Sequence, residues 1–287
     1  MRRVIDTHVH LYPPRRLGGL MRWVHRGMPG HPVPVGITVE EAIADLRAAG
    51  VESFFAAVFP LAPGEARELN RFNADLARRV PGMIPLGTAH QDDDNPGAVA
   101  AEVLGALGLK GIKLHPMVMK MAPGDPRMAG VYAAAQEAGR PLLVHTGFEE
   151  GYGRMPDKSE WERLFAAYPR LTFILAHAFF PDLAYAFSLL PRFENVLLDL
   201  TNVIGMLQWR EGPLPFGVSR SPWGPREFAA ALEANAARVL FGSDHPAGMG
   251  TMEEVVRQVE SFGLEKESLE RILYGNARAL IDRLGLG

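Results

Sequence analysis

Eight apolar, β-branched runs, each followed by a run with helical periodicity, predict a single (β/α)8 TIM barrel over residues 1–287. Two further observations agree. From the second run onward the units recur at roughly 25–40-residue intervals, one strand–helix unit per repeat, which implies parallel pairing through right-handed crossovers. No Gly-rich phosphate loop follows any strand and no change of composition marks a second domain, which favours the barrel over a doubly wound open sheet.

The first run, Val4-Ile5-Asp6-Thr7-His8-Val9-His10, alternates polar and apolar residues and reads as a strand. Strict alternation places Asp6, His8 and His10 on one face. Residues 11–36 are rich in Pro, Gly and Arg and read as a long loop. Thr38 and Glu41 form a capping box that opens a helix ending at Gly50. A strand over 53–59 and a helix over 65–80 follow, then a strand over 83–89 and a helix over 99–107. The second half keeps the rhythm: strands over 111–115, 141–145, 171–178 and 195–201, with helices over 128–138, 159–168 and 182–190. A second long loop covers 202–224, and Pro225 starts a helix over 225–236. The last strand, over 238–244, precedes two closing helices.

Composition excludes several classes. A hydrophobic fraction of 47% and a charged fraction of 22% are those of an ordinary globular protein. Net charge is −3 with no basic stripe, which argues against a polyanion such as DNA. There is no cysteine, so disulfides, thiolate zinc sites and cysteine nucleophiles are out. No apolar run approaches the roughly 20 residues that span a bilayer, and Met1-Arg2-Arg3 leads into the first strand without an apolar leader core. The expectation is a cytoplasmic protein with a small-molecule substrate, no nucleic acid and no membrane; a homodimer is left open.

In such a barrel the chemistry sits at the carboxyl ends of the strands. Polar residues close the apolar runs there: His8 and His10 on the first, Lys113 and His115 on the fourth, His145 on the fifth, His177 on the sixth and Asp244 on the eighth. One such histidine alone is an ordinary core or surface residue. The first, fifth, sixth and eighth strands delivering imidazoles and a carboxylate to one rim have the composition of an open, zinc-type catalytic centre. In the two long loops lie Arg22, Trp23, Arg26, Trp209, Arg210 and Trp223. If these loops cover the rim, Arg22 and Trp209 suit a flat or carboxylate-bearing substrate.

Several segments together resemble the amidohydrolase superfamily, and within it the amidohydrolase-related metal-dependent hydrolases, or second amidohydrolase family. They are Ile5-Asp6-Thr7-His8-Val9-His10, Gly111-Ile112-Lys113-Leu114-His115-Pro116, Leu143-Val144-His145-Thr146-Gly147, Leu175-Ala176-His177, Asn195-Val196-Leu197-Leu198-Asp199, Phe241-Gly242-Ser243-Asp244-His245-Pro246 and Ile272-Leu273-Tyr274-Gly275-Asn276-Ala277. The resemblance implies a divalent metal, one Zn2+, held by His8, His10, His145 and Asp244. His177 is then a general acid or base, and Asp244 also handles the proton of the attacking water. Asp6 is either a partner that orients an imidazole or a buried structural group. Lys113 and His115 are expected to meet substrate; the alternative is a carboxylated Lys113 bridging two metals. The implied activity is hydrolysis of a small ester, lactone or amide by metal-activated water. Its alternative is non-oxidative decarboxylation of a small unsaturated or aromatic acid, as in the similar aminocarboxymuconate-semialdehyde decarboxylase. An arginine reaching the metal pocket favours the decarboxylase.

Overall fold

The structure is a computed structural model that describes residues 3–153 and 157–287. Met1 and Arg2, at the head of the leader reading, lie outside the described residues. Among them are strands β1 (Val4–Val9), β2 (Val51–Ala56), β3 (Met83–Pro85), β4 (Ile112–Leu114), β5 (Leu142–His145), β6 (Phe173–Ala176), β7 (Val196–Asp199) and β8 (Val239–Leu240). All pair in parallel, as β1-β2-β3 and β4-β5-β6-β7-β8. Two seams join these sheets. Gly87 N–H donates to Gly111 O at 2.9 Å and Lys113 N–H to Gly87 O at 2.7 Å. On the other side Thr7 N–H donates to Phe241 O at 2.9 Å, Asp244 N–H to His8 O at 2.8 Å and His10 N–H to His245 O at 2.8 Å. The ring is closed, and the fold is the (β/α)8 barrel.

Helices occupy the outer layer: α1 (Pro14–Gly27), α2 (Val39–Ala48), α3 (Glu65–Ala77), α4 (Pro96–Leu104), α5 (Pro116–Met119), α6 (Ala129–Glu137) and α7 (Lys158–Ala167). They continue with α8 (Leu183–Leu189), α9 (Val203–Gln208), α10 (Pro225–Asn235), α11 (Met252–Glu260), α12 (Lys266–Glu270) and α13 (Asn276–Leu284). No helix of the described residues is long and apolar enough to cross a membrane. The Thr38–Glu41 capping box forms as expected, with Glu41 N–H on Thr38 Oγ1 at 3.1 Å and Thr38 N–H on Glu41 Oε2 at 2.8 Å. Alternate strand residues form the barrel interior, including Ile5, Phe55, Ile84, Leu143, Ile174 and Leu240, and Ala277, Leu280 and Ile281 of α13 pack on them. The other parity, with Val4, Phe54, Leu142, Phe173 and Val239, packs against the surrounding helices.

Three expectations change. The 11–36 segment is not a loop throughout, because α1 fills Pro14–Gly27. Leu17, Leu20, Met21 and Val24 are buried on one face at helical spacing. Gly18 and Gly19 cost about 1 kcal/mol each in a helix interior, but fully burying each of the four apolar side chains contributes about 1.5–3 kcal/mol. Packing wins over propensity. Likewise α9 interrupts the 202–224 loop with a short helix whose first five residues carry no polar side chain and are buried.

The third change concerns β1. Asp6 pairs with Phe54 but Val9 with Ala56, so three steps on β1 match two on β2. Phe54 and Ala56 both face the helices, so Asp6 and Val9 do too, while His8 and His10 turn inward. Asp6 is therefore not on the imidazole face. Its Oδ1 accepts the backbone N–H of His8 at 3.0 Å and of Ser243 at 3.1 Å, pinning β1 to the segment after β8. It is a buried structural group, with its pKa pushed up to about 8 chiefly by burial.

Candidate active site

Three of the expected metal ligands meet at the carboxyl end of the barrel. One ligand atom each from His8, His10 and Asp244 lies within 4.8 Å of the others. His8 Nε2 is 3.2 Å from His10 Nε2, and Asp244 Oδ1 is 3.1 Å from His10 Nε2 and 3.6 Å from His8 Nε2. The fourth, His145 at the end of β5, stands beside this group. Its ring stacks on His115 at 3.7 Å between centroids, lies 4.5 Å from His177, and its Nε2 is buried with no hydrogen-bond partner. His177 and Asp244 lie just past their strands rather than in them, both with left-handed backbone (φ 65° and 66°). Such conformations in non-glycine residues concentrate where a fold aims functional side chains.

Hydrogen bonds decide which imidazole nitrogens are free. His10 Nδ1–H donates to Ala57 O at 2.8 Å, leaving the Nε2 lone pair exposed to the site. His177 Nδ1–H donates to Thr201 O at 3.1 Å with the same result. The Thr201 hydroxyl donates to Asp199 Oδ1, so its lone pair accepts His8 Nδ1–H at 3.1 Å. Asp199 is further held by Thr201 N–H at 2.7 Å and Thr7 Oγ1 at 3.2 Å. Gly242 makes room for this arrangement, since a Cβ there would collide with Thr201 Oγ1 and Asp199. Asn202 Nδ2 donates to Asp244 Oδ2 at 3.0 Å.

The lone pairs of His8 Nε2, which Lys113 Nζ approaches at 3.0 Å, and of His10 Nε2 thus crowd one point with a carboxylate oxygen. Without a positive charge between them these groups repel one another. The donor set of imidazole nitrogens plus one carboxylate, together with the orphaned Nε2 of His145, fits a divalent cation. The electrostatics agree. Burial lowers the pKa of His8 and His145 well below the usual imidazole value, and that of His177 to about 4, so all three are neutral donors near pH 7. Burial alone would raise Asp244, but its close contact with His10 and the neighbouring imidazoles hold it well below the usual carboxylate range. Lys113 is fully buried with Nζ 3.0 Å from His8 Nε2, its pKa lowered by burial to about 8.

The site opens into a chamber of about 150 Å3 with His10, His115, His145, His177 and Asp244 at its base. Trp23, Phe59, Phe148, Tyr152 and Phe216 wall it. Trp23 and Phe216 stack at 4.5 Å, an α1 residue against one from the 202–224 segment, so the two long segments do cover the rim. Arg22 and Trp209 are not among the lining residues. Arg22 is exposed on α1, and Trp209 Nε1 donates to Glu211 O and Pro213 O, both at 3.2 Å. No arginine lines the chamber among the described residues. A larger hollow of about 470 Å3, lined by Arg170, Arg238 and Asn276, contains no imidazole.

The sequence reading did not single out Asp199, Thr201, Asn202, Tyr152 or Phe148. Asp199 carried the available signal, a carboxylate closing the apolar run of β7 as Asp244 follows β8. Nothing local marks the others.

A family model described as Amidohydrolase matches residues 5–283. No curated protein matches the sequence. Among solved structures, an uncharacterised TIM-barrel protein of Bordetella bronchiseptica is 23% identical, with a TM-score of 0.74 over 99% of this chain and 100% of that one. A 5-carboxyvanillate decarboxylase of Novosphingobium aromaticivorans, complexed with manganese, is 16% identical, with a TM-score of 0.67 over 98% and 96%. A proposed 2-pyrone-4,6-dicarboxylic acid hydrolase of Pseudomonas putida is 20% identical, with a TM-score of 0.66 over 99% and 98%. At these identities the likeness speaks for the fold.

Proposed function

The chain belongs to the amidohydrolase family, whose members are metal-dependent hydrolases or decarboxylases, and from that premise we propose that it hydrolyses a small, flat ester, lactone or amide. The observation that carries the reading is the convergence of His8, His10 and Asp244 at the base of an aromatic chamber with no arginine among its described lining residues. A divalent cation held there supplies Lewis acidity, polarising a substrate oxygen and making water a better acid. His8 and His10 hold it through Nε2, with His145 as a further donor. Asp244, ionised and anchored by Asn202, accepts a proton at its carboxylate. His177 is neutral, bound through Nδ1–H, and presents Nε2 as a proton acceptor. The aromatic walls exclude water and stack on a planar acyl group.

Decarboxylation of an aromatic acid is the second reading, favoured by the manganese-bound decarboxylase of the same fold. An acid substrate would need a cation besides the metal to take its carboxylate; the chamber's described lining includes none, and Arg15, Arg16 and Arg26 line the adjoining hollow beyond Trp23, Phe59 and Tyr152. Lactones, aryl esters and aromatic carboxylic acids assayed side by side on metal-loaded protein, with carbon dioxide monitored, separate the two. Ring opening or ester cleavage is expected; carbon dioxide alone sinks the hydrolase.

The metal reading is one ion per chain, zinc by the donor set, although manganese serves the neighbour. Lys113→Met tests the count, because a carboxylated lysine would bridge two ions. Elemental analysis should find about one ion per chain before and after the substitution. A fall from two to one would establish the two-metal site instead.

A further inference from the structure

Tyr152 lines the chamber from the turn Glu149–Tyr152 after β5 and has no place in the chemistry described so far. Its Oη is 3.3 Å from His115 Nε2. His115 Nδ1 faces the backbone N–H of Val118 at 3.4 Å and accepts from it. A nitrogen that accepts an N–H carries no hydrogen of its own, so neutral His115 bears its proton on Nε2. His115 therefore donates to Tyr152 Oη. With its oxygen occupied as an acceptor, the phenol hydrogen has no partner among the described residues and is free to point into the chamber.

We infer that Tyr152 is a catalytic hydrogen-bond donor to the substrate oxygen that gains negative charge, and that His115 is the positioning residue that turns its hydroxyl into the chamber. The inference rests on the hydrolase reading and extends it. Tyr152 keeps its proton throughout: Oη–H donates a hydrogen bond to the developing oxyanion, and no covalent bond forms or breaks at the phenol. Burial raises the Tyr152 pKa above its ordinary value, with the Asp244 charge adding to the effect, so the group remains a neutral donor. His115, stacked on His145 and capping α5, is held in the orientation that this donation requires. A single donor aimed at an oxyanion contributes about 100- to 1,000-fold in kcat.

Tyr152→Phe removes only the hydroxyl and keeps the ring that faces Trp23 and His145. Phenylphosphonate is the probe, its ring suited to the aromatic walls and its tetrahedral anionic oxygens standing in for the oxyanion. Calorimetry on metal-loaded protein should show it binding Tyr152→Phe about 10- to 100-fold more weakly than wild type. Benzyl alcohol should bind both within about twofold, and metal content should not change. His115→Ala should weaken phenylphosphonate similarly, and His115→Gln, which keeps an N–H donor, should recover most of it. A structural role for His115 predicts no such recovery. Equal phenylphosphonate affinity in wild type and Tyr152→Phe overturns the proposal, as does wild type that fails to bind it. If the affinity difference appears but no ester or lactone is turned over, the donor stands and the hydrolase reading falls.

Discussion

Replacing Thr201 by valine tests how the site holds its first imidazole. Valine matches threonine in shape and deletes the hydroxyl. His8 Nδ1–H then loses its hydrogen-bond acceptor, with Asp199 Oδ2 standing off at 3.6 Å, and Asp199 loses one of three donors, keeping Thr201 N–H and Thr7 Oγ1. His8, Asp199 and Thr201 are each wholly buried, so water cannot take over. An orphaned buried donor costs about 1–3 kcal/mol and a lost bond to a carboxylate about 1.5–3 kcal/mol; with partial relaxation the expected loss of stability is about 3 kcal/mol. The functional effect is separate. With its Nδ1–H unheld, His8 can rotate or change tautomer, and metal affinity should fall about 10- to 100-fold. Urea unfolding of metal-free protein reads the first effect, and competition with a chromophoric chelator reads the second. Thr201→Ser, which keeps the hydroxyl, should bind metal within about threefold of wild type. Metal affinity of Thr201→Val within about twofold of wild type would refute the orienting role.

Two other predictions follow from placement. Asp6 ionises near pH 8 in the folded chain against 3.8 for an ordinary aspartate. Below about pH 4 both states are protonated; between there and pH 8 only the unfolded state loses its proton, so this group lowers stability by up to about 1.4 kcal/mol per pH unit across that window. Asp6→Asn should flatten that decline in denaturation midpoints measured from pH 4.5 to 8, and an unchanged slope would count against the burial argument. Trp23→Ala, which strips one aromatic wall, should raise KM for an aryl ester about tenfold, equivalent to about 1.4 kcal/mol. Arg22→Ala and Trp209→Ala, outside the chamber, should leave KM within about twofold; if either matches Trp23→Ala, the described chamber is not the substrate site.

Local pattern carried much of the architecture. The β-branched runs, the Thr38–Glu41 box, and the Pro225 start each act within one element and survive in the folded chain. Where local signals conflict, packing decided. The glycines and arginines of α1 hid its apolar face until a neighbouring surface was there to bury it. The strand alternation of β1 also misled, because one extra residue between Asp6 and Val9 inverts parity and cannot be seen in side-chain types alone.

By itself the sequence determined which chemistry-bearing residues end the strands: His8, His10, His145, His177 and Asp244 can be named because each interrupts or follows an apolar run. It also excluded thiolate chemistry through the absence of cysteine. Only the tertiary structure decided which nitrogen of each imidazole is free, because that depends on partners such as Thr201, 193 positions from His8. The same holds for the chamber walls, where Trp23, Tyr152 and Phe216 come from three separate segments. Ring closure brings them together, and no periodicity within a single segment encodes a contact made by closing a barrel.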